Sequence, residues 1–288
     1  MPKPNLNFFG TILIGLLVTL IPCVAEVATE KEGFSRYVRY SKAPSELSTS
    51  IIRYGNKNGQ TLDLISAIHV GNPSYYQALN QQFTTYDAVL FELILPDSMV
   101  GKPLPAKLKS GAGVSSLQNT LANSLGLVTQ IENIDYSVPN FVHADLTQSG
   151  LSKSMDTRQE NVLSYALKAL ANTDLSDRDF GVSTEEMAQL DLAALLAGTS
   201  SPSDRKILLK MFATALTSSG DILATLENTA LIGERNTRAM KVLEEQTSSN
   251  KKDFALFYGA AHIPDFEKRL KSNGWEYLET EWIQAWAI

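Results

Sequence analysis

The apolar residues of this chain form short unbroken runs towards its two ends and take helical spacing between them. Residues 49–69, TSIIRYGNKNGQTLDLISAIH, place two apolar runs on either side of Gly55-Asn56-Lys57-Asn58-Gly59 and read as a hairpin. LDLISAI then begins a strand–helix–strand unit. Asn72 is placed to cap a helix and Pro73 to open it. SYYQALNQQF supplies the helix and DAVLFELI the second strand, which predicts a parallel pair joined by a helical crossover. The far end repeats the order. FALFYGA is a strand, Pro264 opens PDFEKRLKS, Asn273-Gly274 closes it, and WEYLETEWI is a last strand. Two split halves of one pattern therefore put His69 and His262 in matching places, each after an apolar strand and before a proline-led helix.

Between the halves, residues 113–246 carry mostly helical apolar spacing, in SSLQNTLANSLG, RQENVLSYALKALAN, STEEMAQLDLAALLAG, DRKILLKMFATALTSS and DILATLENTALIGERNTRAMKVLEEQ. Residues 96–113 read as loop. The expected fold is α/β: a mixed sheet built from two strand–helix–strand halves, with a largely helical middle insertion covering one end of it. The expected organisation is a polar leader over 26–49, with an edge strand at RYVRY, and a single domain over 50–288.

The first 25 residues change the picture of where the chain works. Lys3 precedes FFGTILIGLLVTLI, a run of signal-peptide length and shorter than the roughly 20 residues of a membrane span. Cys23-Val24-Ala25 fits a small-x-small cleavage site. The reading is export, periplasmic or secreted, with retention as a membrane anchor as the alternative. Cys23 is the chain's one cysteine, so cleavage after Ala25 leaves neither a disulfide nor a thiol nucleophile. Lys plus Arg is 25 against 31 Asp plus Glu, a net charge of −6, and no basic run tracks a phosphate backbone, which argues against nucleic acid as a partner.

Candidate chemistry collects at the carboxyl ends of the expected parallel strands, where open sheets gather ligands. Glu92 sits inside AVLFELIL, and an ionised carboxylate there needs a pairing cation, as a salt bridge or as a bound ion. Each histidine taken alone reads as a hydrogen-bonded core imidazole. The repeated setting makes His69, Glu92 and His262 a candidate ligand set for a divalent transition metal such as Mn, Co or Zn. Such an ion lowers the pKa of bound water and so supplies a hydrolytic nucleophile. The third histidine lies in DYSVPNFVHADLT; an extended chain puts His143 and Asp145 on one side, as further ligands or an acid–base pair, with capping of the next helix as the other role for Asp145. Glu234 and Arg238 are spaced as a surface pair. Arg235 shares a helical face with Leu231, Ala239 and Val242, and a buried arginine there wants a carboxylate or an anionic ligand. No G-x-S-x-G and no phosphate-binding glycine loop occurs.

DLISAIHVGNPSYYQALNQQFTTYDAVLFELI, LGLVTQIENIDYSVPNFVHADLT, LIGERNTRAM and FYGAAHIPDFEKRL together resemble the TraB/PrgY/GumN family, which includes the Tiki metalloproteases. Of the family's two G-x-x-H motifs, Gly259-Ala260-Ala261-His262 fits in full, whereas the first has Ser66 in the glycine position. The resemblance implies a mixed α/β fold with both motif histidines at one site. It also implies either metal-dependent hydrolysis or capture of a peptide. On that basis His69, Glu92 and His262 are expected to hold the metal, with His143 and Asp145 as additional ligand or acid–base candidates and Gln130, Tyr136 and Arg235 lining the site. The expected partner is a peptide or small-molecule substrate. The alternative is a non-catalytic protein that captures a peptide signal or a cofactor such as haem.

Overall fold

The computed structural model of the chain describes residues 36–108, 119, 122–160, 182–188, 190–191, 201–217 and 228–288. The first 25 residues, expected to be a targeting segment, and the helical spacing over 161–172 lie outside the described residues.

The strands run β1 (Val38–Lys42), β2 (Ser45–Asn56), β3 (Thr61–Ala67), β4 (Val70–Gly71), β5 (Ala88–Phe91), β6 (Val128–Thr129), β7 (Phe141–His143), β8 (Asp253–Gly259) and β9 (Trp275–Ala287). Among the described residues the helices are α1 (Pro73–Phe83), α2 (Gln130–Asn133), α3 (Gln148–Thr157), α4 (Thr184–Ala188), α5 (Pro202–Thr217), α6 (Arg235–Thr247) and α7 (Ile263–Ser272). A seven-stranded mixed sheet has the order β1-β2-β3-β8-β5-β7, with β9 also paired to β2. β3, β8, β5 and β7 are mutually parallel, and β1, β2 and β9 add antiparallel pairs on one side. The fold is therefore α/β with a mixed sheet.

Alternation along the strands divides the core in two, because successive side chains point to opposite faces. Ile65, Val89, Phe91, Ala255 and Phe257 pack with Tyr75, Tyr76, Leu79 and Phe83 of α1 and with Leu208, Leu209 and Phe212 of α5. Leu64, Leu90, Leu256 and Tyr258 pack instead with Ala239, Val242 and Leu243 of α6 and with Ile263, Phe266 and Leu270 of α7. Covered on both faces, the parallel strands read as continuous apolar runs. No helix among the described residues is long and apolar enough to cross a membrane.

The hairpin, α1, β8, α7 and β9 form as the spacing predicts, and Gly274 takes the positive φ of 81° that a helix end favours. Several expectations change. β3 and β5 are parallel but not neighbours, because β8 lies between them. The sheet begins within the span read as a polar leader: β1 overlaps the edge strand expected at RYVRY, and β2 starts at Ser45. The middle segment is not purely a helical cover, since it supplies β7, the strand at one end of the sheet. Asn72 does not cap α1 with its side chain; its Oδ1 accepts from Ala287 N at 2.7 Å, tying the final strand to the start of the helix.

Candidate functional site

The four parallel strands end at one edge of the sheet, and each delivers a chemically active residue just beyond its last ladder position. His69 follows β3, Glu92 follows β5, Asp145 follows β7 and His262 follows β8. This is the edge at which open α/β sheets bind ligands. Residue spacing alone explains the arrangement: an apolar run stops where a polar group has to turn into the interior.

Arg235 organises the edge. It is the first residue of α6, after one π-helical turn at Ala230–Glu234, and only 1 % of it is exposed. Its guanidinium donates to Asp145 through Nε at 2.8 Å and Nη2 at 2.5 Å, and Nη2 also donates to Glu92 Oε1 at 2.7 Å. Burial works against the charged guanidinium, but the charges of Asp145 and Glu92 outweigh it and hold its pKa above the usual arginine value. Glu92 Oε2 accepts from the backbone N–H of Gly259 at 2.6 Å. The arginine expected to be buried thus has two carboxylate partners, and the costly carboxylate within AVLFELIL is paired.

His262 closes the edge from the other side. Its Nε2 stands 3.5 Å from Glu92 Oε1, is fully buried and has no hydrogen-bond partner. Its Nδ1 meets Asn236 Oδ1, and burial pushes its pKa well below the ordinary histidine value, so the ring is neutral. His69 keeps partial access to solvent. Its pKa is also lowered, chiefly by burial and further by the charge of Arg235, while Glu92 and Gln130 act the other way. Gln130 N donates to His69 O at 2.8 Å, and Gln130 Nε2 donates to Tyr136 OH at 3.0 Å. Gln130 Oε1 is buried on the His69 side. His69, Gln130 and Tyr136 therefore stand together beside Glu92, with Gln130 and Tyr136 buried and His69 partly accessible.

Two expected site residues fall elsewhere in role. His143 and Asp145 do not act as a pair. His143 Nε2 contacts the carbonyl of Leu93 at 2.7 Å and its ring packs against Phe91, on the α1 side of the sheet, while Asp145 turns to Arg235. Nor does Asp145 cap α3: Thr147 does, accepting from Gly150 N at 3.1 Å. Glu234 faces Arg158 at 3.4 Å rather than forming the pair expected with Arg238. Sequence reasoning passed over Asn236, which is fully buried against His262. The available signal was an amide next to Arg235 on the same apolar helix.

Among the described residues, no group of three or more His, Cys, Asp or Glu side chains is disposed to hold a metal ion. One pair does have the right spacing. Two ligand atoms each about 2.1 Å from a tetrahedral ion stand about 3.4 Å apart, and His262 Nε2 and Glu92 Oε1 are 3.5 Å apart. A neutral ring with Nδ1 engaged and Nε2 free is the ligand form of histidine. Asp145, with both oxygens on Arg235, does not fit as a ligand, and neither does His143, whose Nε2 is taken by Leu93 O.

Comparison with protein-family models, curated proteins and solved structures finds no match to this chain.

Proposed function

We propose that this chain is an exported, metal-dependent hydrolase of peptides or related amide or ester substrates, of the TraB/PrgY/GumN type. One observation carries the reading: a buried, neutral imidazole presents an unpartnered Nε2 at 3.5 Å from a carboxylate oxygen, at the ligand-binding edge of a parallel sheet. His262 and Glu92 would hold a divalent transition metal, with His69 turning from Gln130 to complete the set. The chemistry such an ion supplies is a water nucleophile at neutral pH.

The chain's own residues do the rest. Arg235 and the Gly259 N–H fix both oxygens of Glu92, so the carboxylate is held in one orientation beside His262. Asp145 holds Arg235 in turn through two hydrogen bonds. Substrate would approach past His69, the partly accessible member of the site, with Gln130 and Tyr136 as polar contacts for its amide or carbonyl groups. Proton transfer to the leaving group falls to Glu92 or His69.

A second reading, capture of a peptide or a cofactor such as haem without cleavage, is favoured by the same hydrogen bonds, because both oxygens of Glu92 are already engaged by Arg235 and the Gly259 N–H. The test is metal analysis of protein purified without chelator, followed by incubation of mixed peptides with added Mn²⁺, Co²⁺ or Zn²⁺ and mass spectrometry. Cleavage that chelator stops and that His262→Ala lacks supports the hydrolase. Glu92→Gln should lower turnover by about 10²-fold or more while peptide binding persists. Tight peptide or haem binding with no cleavage under any metal makes capture the better account. Export is tested separately, by finding a mature chain that starts at or near Glu26.

A further inference from the structure

The immediate surroundings of His262 contain more than its proximity to Glu92. Asn236, on α6, makes three contacts that leave its amide only one orientation. Its Nδ2 donates to Asp265 Oδ2 at 2.7 Å and to the His262 carbonyl at 3.2 Å. Both partners are acceptors, so the amide nitrogen belongs on that side and the oxygen faces His262 Nδ1. Asp265 is itself held by Arg269, whose Nε donates to Oδ2 at 2.6 Å, and Arg269 also reaches Thr237 Oγ1 at 3.0 Å. The chain of contacts runs from the half-exposed Arg269 inward through Asp265 and Asn236 to the imidazole.

An amide oxygen only accepts, so the ring nitrogen facing it has to carry the hydrogen. In a neutral ring the other nitrogen is then a lone pair. We infer that Asn236 is a positioning residue that holds His262 as the Nδ1–H tautomer and so leaves the Nε2 lone pair open 3.5 Å from Glu92 Oε1. The consequence is an unusual pairing in the interior: two acceptors face each other at 3.5 Å with no donor between them. That gap attracts a cation or a proton donor. The other tautomer would place an Nε2–H there and, with a small approach of the two groups, make an imidazole–carboxylate hydrogen bond. Asn236 therefore decides whether this edge is a closed structural contact or an open ligand position. The inference rests on the proposed hydrolase only for what the position is used for, not for the tautomer itself.

The test is the ¹⁵N spectrum of the full chain labelled at histidine, with His69→Gln and His143→Gln variants to assign the signals. In the metal-free protein, His262 is expected to show a protonated Nδ1 and a pyridine-type Nε2. Asn236→Ala should bring in the Nε2–H form, and the near-isosteric Asp265→Asn should do so in part, because it frees the Asn236 amide to turn over. Each variant should also weaken Zn²⁺ or Co²⁺ binding by about 10–100-fold. An Nε2–H tautomer in the unsubstituted protein overturns the inference, as does an unchanged tautomer in a folded Asn236→Ala. If Asn236→Ala does not fold, the first spectrum and Asp265→Asn still decide. Failure of the unsubstituted protein to bind any metal would count against the proposed function while leaving the tautomer result intact.

Discussion

Replacing Arg235 by methionine removes the cation that pairs with Glu92 and Asp145, both buried. Methionine keeps much of the length and apolar volume, so the loss is chiefly electrostatic. Three hydrogen bonds go, at 2.8 and 2.5 Å to Asp145 and 2.7 Å to Glu92. The side chains left behind are 0 % and 6 % exposed, so solvent cannot replace the guanidinium without opening the fold. Removing one partner of a buried ion pair typically costs about 3–5 kcal/mol, and two carboxylates left together put this site at the upper end. About 4 kcal/mol corresponds to roughly a thousandfold in the folding equilibrium. Urea unfolding followed by circular dichroism should show a large fall in midpoint with the slope unchanged. The companion variant Glu92→Gln, Asp145→Asn, Arg235→Met removes all three charges together. It should recover most of the loss, since neutral replacements of a whole buried set are often close to neutral in stability. A single Arg235→Met variant within about 1 kcal/mol of the unsubstituted protein would refute the reasoning, as would a triple variant less stable than the single one.

Three further outcomes follow from groups elsewhere. His262 is buried and neutral with its pKa well below that of an unfolded histidine, so its contribution is complete above about pH 6.5 and is lost as pH falls below that, by at most about 1.4 kcal/mol per unit. His262→Gln should flatten the stability profile between about pH 6.5 and 5, and parallel profiles in urea titrations would contradict this. Burial pushes the Glu267 carboxyl up, but hydrogen bonds from Tyr37 and Tyr54 at 2.7 Å and the charge of Arg36 outweigh it and lower its pKa. Glu267→Gln should therefore cost about 1–3 kcal/mol near neutrality, a difference that thermal melts should see shrink as pH falls below about 4.5. Trp286→Phe loses the Nε1–H bond to Val70 O at 2.7 Å, and a buried carbonyl left without its donor costs about 1–3 kcal/mol, read as faster amide exchange in β4 and β9.

What the sequence revealed and what it concealed differ by mechanism. β3, β5 and β8 were legible because strands covered on both faces are apolar without interruption, and the hairpin because Gly55–Gly59 leaves a turn little alternative. β5 ends at Phe91, before the apolar run does, because the next residue turns inward to meet Arg235. Arg235 was found by its helical face. The order β3-β8-β5 was not readable, since insertion of a C-terminal strand between two N-terminal ones leaves no trace in local spacing. β7 escaped because Phe141–His143 is too short to show a period, and because it ends at His143 the extended alternation that put His143 and Asp145 on one side does not carry on to Asp145. The matching settings of the two histidines concealed a difference as well. His262 begins a helix directly from a 3₁₀ turn, while His69 is separated from α1 by the two-residue β4. One ring is therefore sealed in and the other keeps access to solvent.

That difference bears on how the site could work. Two carboxylates and one guanidinium meet at this edge, all three almost fully buried. Asn236 sets the neighbouring ring, because its acceptor oxygen takes the Nδ1 hydrogen and leaves the Nε2 lone pair of His262 3.5 Å from Glu92 Oε1. His69, the histidine with partial access to solvent, lies close by within reach of the charges of Glu92 and Arg235. A lone pair held beside a fixed carboxylate, with a second imidazole near it, is the arrangement the proposed resident cation would use, and a histidine held in the other tautomer would remove it.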